Sequence, residues 1–177
     1  MSARFVPNTP KAVEAILWLV AERPGIDVYH VVKCTYYADK YHLNHYGRPV
    51  IGDVYHAAAY GPLGQCVYGL LTRQPLELIA LQSNGHLPLA VLDDQVVTAE
   101  RGPNLRRLSS SDVEALSWAL STYGDVPFDD LVEESHAEEA YRKADGGVMR
   151  YEDMLDPIGN RAAREAELEA TASRAVF

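Results

Sequence analysis

The sequence predicts a mainly α-helical domain (α+β in class) with a small antiparallel β-hairpin or meander and a partly helical C-terminal tail. Three observations carry this. Apolar residues recur at helical spacing between clear cap signals over residues 9–23 and 28–46. The same pattern returns after Ser111, and between residues 76 and 99 the period shortens to that of a strand around Asn84-Gly85.

Thr9 is the expected N-cap of the first helix, with Pro10 suited to the first turn. Ala12, Val13, Ile16, Leu19 and Val20 form its stripe, and Pro24-Gly25 stops it. Asp27 caps a second helix over 28–46, ended by Gly47 with Pro49 just beyond. Residues 47–61 read as a glycine-punctuated loop with a short ordered piece, and a third helix starts near Pro62 and ends at Pro75. The segments LELIALQ and LPLAVL flank Asn84-Gly85 as a hairpin, and QVVTA adds a short strand after Asp93-Asp94. Ser111-x-x-Glu114 reads as a capping box before Val113, Leu116, Leu120 and Tyr123. A helix over 128–144 carries its acids early and Arg142 and Lys143 in its last turn, as the helix dipole favours. Gly146-Gly147 closes the compact part, so the division is 1–147 for the domain and 148–177 for the tail. In 160–174, Leu168 is the one large apolar residue, which predicts a frayed or partner-dependent helix.

The chain of 177 residues is 47% apolar and 23% charged, enough for a real core. Its net charge of −9 argues against direct DNA binding, since phosphate affinity needs clustered Lys and Arg. Residues 1–100 carry 7 basic and 9 acidic side chains (net −2), and residues 101–177 carry 9 and 16 (net −7), so the acidity is C-terminal. Cys34 and Cys66 stand in no paired motif and read as reduced thiols of a cytoplasmic protein. No stretch has the length of a membrane span or the form of a signal peptide.

The second helix holds most of the chemistry. On a helical wheel Val28, Val31, Val32 and Thr35 define a core stripe that continues through Asp39, His42, Leu43 and Tyr46. A buried carboxylate needs a partner, and His42, Arg48, His56 and Tyr60 are candidates. The opposite face presents His30, Lys33, Tyr37 and Tyr41, and residues 29–68 hold 8 of the 11 tyrosines and 4 of the 6 histidines. Three uses compete. Asp39, His42 and His56 form a structural polar tie that holds the loop on the helix. His30, Lys33, Tyr37 and Tyr41, with Tyr46, Arg48 and Tyr60, form a partner-binding surface, tyrosine being suited to contact. Or Asp39, His42 and His56 serve a small metal-dependent hydrolase. No HExxH, CxxC, GxSxG or P-loop is present, His45 points about 120° from Asp39, and the sequence indicates no cofactor, no metal and no enzymatic activity.

The run YYADKYHLNHYGRPVIGDVYHAAAYGPLGQCVYGLL resembles the signature of the Panacea domain of SocA-like antitoxins. The matching positions are Tyr37, Asp39, His42, Tyr46-Gly47-Arg48-Pro49, Gly52-Asp53, and Ala57 through Tyr60-Gly61-Pro62. A second landmark is matched by Leu131, Ser135-His136 and Tyr141, the last in place of a common Trp. The resemblance spans roughly residues 9–147. It implies a largely helical bacterial protein that binds and neutralises a cognate protein toxin of a toxin–antitoxin system. It also brings in, from SocA itself, the role of a proteolytic adaptor delivering the toxin to the ClpXP protease.

Overall fold

The computed structural model describes residues 3–75 and 86–174. Helix α1 (Thr9–Glu22) is capped by Asn8, whose side chain accepts from Lys11 N at 3.0 Å, so the cap lies one residue earlier than Thr9. Helix α2 (Val28–Tyr46) begins at Asp27, which accepts from His30 N at 2.8 Å, and ends at Gly47 in the left-handed region with φ 72°. The two caps of α2 are those read from the sequence, because each is a local device that needs no tertiary partner.

The loop expected after α2 is more ordered than its glycines suggest. Strands β1 (Tyr55–Ala58) and β2 (Gly61–Gly64) pair antiparallel, with Tyr55 opposite Gly64 and Ala58 opposite Gly61. Pro62 therefore lies in β2, and α3 (Gln65–Leu71) starts three residues later than expected. A second ribbon pairs β3 (Leu89–Val91) with β4 (Val97–Ala99) around Asp93-Asp94. The expected strand over 76–82 and the Asn84-Gly85 turn lie outside the described residues. Val28 N donates to Gln95 O and Val97 N to Ile26 O, both at 2.9 Å, which fixes this ribbon to the α1–α2 turn.

Helix α4 (Ser110–Tyr123) opens with a capping box formed by Ser109 and Asp112, two residues before the expected one. The segment expected as one helix divides at Glu138 into α5 (Phe128–Ala137) and α6 (Glu139–Ala144). The break has a tertiary cause. Glu138, in extended geometry, accepts from Lys40 Nζ at 2.5 Å and from the Tyr36 hydroxyl at 3.5 Å.

α2 is the axis of the molecule, packed most extensively on α4 and flanked by β2, α3 and α1. The core continues past Gly146-Gly147. Ala57 N donates to Gly147 O and Met149 N to Tyr55 O, so residues 147–149 pair with β1. Met149, Tyr151, Met154 and Leu155 are buried, Tyr151 and Met154 within a short 3-10 turn (Tyr151–Met154). Helix α7 (Arg161–Arg174) then buries Leu168, and Arg164 donates to Asn44 Oδ1 at 2.6 Å near the end of α2. Among the described residues no helix is long and apolar enough to cross a membrane.

Candidate partner-binding site

At the middle of α2, Asp39 is fully buried. Its carboxylate accepts from Ile51 N (2.8 Å), Gly52 N (3.0 Å), Asp53 N (3.4 Å) and the Tyr55 hydroxyl (2.9 Å), with the Tyr151 hydroxyl at 3.5 Å. Burial pushes its carboxyl above the usual carboxylate range, and the backbone N–H donors and Tyr55 pull against that shift. Asp53 continues the chain of ties. It accepts from Cys66 N (2.8 Å) and Val67 N (3.0 Å) at the start of α3, and burial pushes it up to about 7. The sequence reading joins Asp39 to His42 and His56; the hydrogen bonds of Asp39 run instead to loop backbone amides and tyrosines.

His42 makes a separate tie. Its Nδ1–H donates to Arg48 O at 2.7 Å, and Nε2 accepts from the Ser111 hydroxyl at 2.9 Å. Burial holds its pKa below the ordinary value, so the ring is a neutral clamp between the loop and α4. His56 belongs to neither tie, its Nε2 lying 3.3 Å from Gln65 Oε1 at the edge of the hairpin. Asp39, His42 and His56 therefore do not converge as the hydrolase alternative requires. Among the described residues no group of three or more His, Cys, Asp or Glu side chains is arranged to hold a metal ion.

The residues expected on an exposed face separate into three groups. Lys33 and Tyr37 are buried, at 2% and 1% exposure, which corrects the sequence reading. α2 runs through the middle of the fold and has no solvent face at that level: the Tyr37 ring stacks on Tyr123 at 3.7 Å, and the Lys33 ammonium donates to Pro62 O at 2.7 Å. Lys and Tyr have apolar bodies, so a polar stripe on a wheel does not by itself mark exposure.

Near the C-terminal end of α2, Tyr41 stacks on His45 (3.9 Å) and on Trp118 (4.7 Å). The Tyr41 and Tyr46 hydroxyls donate to the two oxygens of Glu114, at 2.9 and 2.8 Å. Those donors hold Glu114 below the usual carboxylate range. Arg48 donates to Asp112 Oδ1 at 3.1 Å, and Lys11 reaches the other oxygen of Asp112 at 2.8 Å.

Near the N-terminal end lies an open cleft of about 410 Å³, lined by α2, the β1–β2 hairpin and the start of α5. Tyr60, Tyr68 and Phe128 stand partly exposed around it, at 62%, 40% and 43%. The Phe128 ring lies 4.4 Å from Tyr29 and 5.5 Å from Tyr60. Lys33 lines the cleft, whereas His30 lines a separate cavity beside Asp27, bonded through Nδ1 to Asp27 (2.8 Å) and through Nε2 to Val126 O (2.8 Å). A ring that donates from both nitrogens is an imidazolium, and its pKa is raised, first by Asp27. The sequence reading included Tyr60, but nothing in the sequence marks Phe128 as its neighbour, Trp118 as that of Tyr41, Ser111 as that of His42 or Tyr151 as that of Asp39.

Searches of curated proteins and of solved structures each return no significant match. The family profile described as "Antitoxin SocA-like, Panacea domain" matches residues 31–141. That is 111 of the 177 residues, from the second turn of α2 to Tyr141 in α6, and it includes Asp39, His42, Lys33 and the β1–β2 hairpin. On that match the chain belongs to the Panacea-domain family of SocA-like antitoxins.

Proposed function

We propose that this chain neutralises a cognate toxin by binding it directly, and that the toxin seats on the cleft between α2, the β1–β2 hairpin and α5. Membership of an antitoxin family makes a toxin the partner to expect. The observation that carries the location is the concave aromatic surface of Tyr60, Tyr68 and Phe128, since protein interfaces concentrate their energy in aromatic side chains around a desolvated pocket. The buried ties of Asp39, Asp53 and His42 hold the hairpin and loop in place, which lowers the ordering cost of binding.

The test is co-expression with the protein encoded by the neighbouring reading frame. Rescue of growth and a co-purifying complex are the expected results, and Tyr60→Ala with Phe128→Ala abolishes both while the circular dichroism spectrum is kept. A harmless neighbour, or full rescue by the double variant, overturns the reading. Toxin half-life in the rescued strain separates two routes: an unchanged half-life marks occlusion, and one shortened in a ClpXP-dependent way marks adaptor delivery.

A further inference from the structure

Lys33 is a buried ionisable group with no counter-charge among the described residues. Its ammonium donates to Pro62 O at 2.7 Å and lies 4.9 Å from the centre of the Tyr29 ring. Among the described residues no carboxylate pairs with it, and Pro62 O is its one hydrogen-bond acceptor. Burial without compensation pushes its pKa down to about 7. Desolvating an ammonium in this way costs several kcal/mol unless an anion arrives. The backbone is shaped around it as well. Gly61 has a φ of 97°, and a side chain there would collide with Ser135 Oγ and press on Lys33 Nζ.

The surroundings narrow the kind of anion. The cleft walls are largely apolar and aromatic, and Asp27 and Asp94 stand on its rim. Asp27 is engaged by His30, and Asp94 accepts from Val96 N. One ammonium beside two carboxylates is a poor match for a doubly charged phosphate. It suits a single carboxylate carried on an apolar segment.

We propose that the cleft takes a segment of the toxin presenting an Asp or Glu side chain, whose carboxylate the Lys33 ammonium receives. This rests on the toxin-binding role above and specifies the chemistry of the partner. The ion pair forms on an ammonium that is itself buried, where truncating one member is more costly than at an exposed rim.

The test uses the full chain and its cognate toxin. Dissociation constants are measured by calorimetry for the wild type and for Lys33→Met, with Lys33→Gln as the second variant should the first not fold. The expected result is a melting temperature at or above wild type, because an unpaired buried charge is gone, together with binding weakened at least about tenfold. On the wild-type complex, carbodiimide coupling is expected to join Lys33 to a toxin Asp or Glu, and mass spectrometry reads the link. A Lys33 variant that binds within about twofold of wild type, while Tyr60→Ala with Phe128→Ala still weakens the complex, overturns this inference and leaves the docking site standing. Normal binding by both variants removes the docking site too, and absence of any complex removes the toxin-binding role itself.

Discussion

The two ends of helix α2 carry similar aromatic content and differ in what their polar groups have left to do. At the C-terminal end the Tyr41 and Tyr46 hydroxyls both close on Glu114, and Arg48 and Lys11 both close on Asp112. At the N-terminal end a buried ammonium lines an aromatic cleft, with one carbonyl and one ring as its company among the described residues. Aromatic density is the same signal in both places and does not by itself separate a self-contained surface from one built to receive a partner. The distinction comes from an account of donors, acceptors and charges, since a buried polar group left unpaired is expensive to keep.

The strongest way to break this comparison is to remove the part both ends share. Asp39→Ala leaves the amides of Ile51 and Gly52 and the Tyr55 hydroxyl without their acceptor, each a loss of about 1–3 kcal/mol when buried. Urea unfolding is expected to show a loss of about 3 kcal/mol or more, with both ends disturbed together. A loss below about 1 kcal/mol would mean that the loop is held by something else.

Next in size is the contrast between the ends themselves. Tyr60→Ala with Phe128→Ala is expected to cost at least about 2 kcal/mol of toxin affinity. Tyr46→Ala with Trp118→Ala is expected to stay within about 0.5 kcal/mol. Calorimetry of both double variants decides it, and the reverse order would move the docking site to the other end of the helix.

A smaller, pH-dependent effect belongs to His30. Its folded pKa is raised above the unfolded value of about 6.5. The contribution to stability is therefore full below that unfolded value and fades as pH rises through the folded pKa. His30→Gln is expected to cost about 1 kcal/mol near about pH 5.5 and clearly less near about pH 8.5, measured by chemical denaturation at each pH. An equal cost at both would show that the ring serves as a neutral filler.

The smallest effect sharpens the description of the self-contained end. Glu114→Gln is expected to leave the melting temperature close to wild type while lowering the phenol pKa values of Tyr41 and Tyr46, both raised first by their hydrogen bonds to Glu114. Ultraviolet titration of the phenols reads this directly. Unchanged phenol titration would mean that the two hydroxyls do not share that carboxylate in solution.

What was legible in the sequence follows from range. The ends of α2 are marked by Asp27 and Gly47, local devices that act whatever surrounds them. The inward projection of Asp39 and His42 was legible from the wheel, which ranks faces relative to one another. The wheel cannot say how many neighbours a helix has, and so it placed Lys33 and Tyr37 towards solvent when other elements cover them. The partners of Asp39 were illegible for a related reason, being mostly backbone amides, which every residue carries. The division at Glu138 has no Gly or Pro to announce it, because its cause is Lys40, far away in the chain. The capping box was displaced by two residues in a run of three serines, any of which satisfies the local pattern.

Tyr151 lies beyond Tyr141, where the family match ends, yet its hydroxyl donates to Asp53 O at 2.7 Å and its ring packs on Phe5 and Tyr55. The stretch matched by the family profile and the packed core are therefore different lengths of chain. A module excised at the end of the matched stretch keeps every matched residue but opens the wall over two buried carboxylates. In this chain the buried residues run on through Met154 and Leu155 to Leu168, so the wall over Asp39 and Asp53 is built by chain that the family profile does not cover.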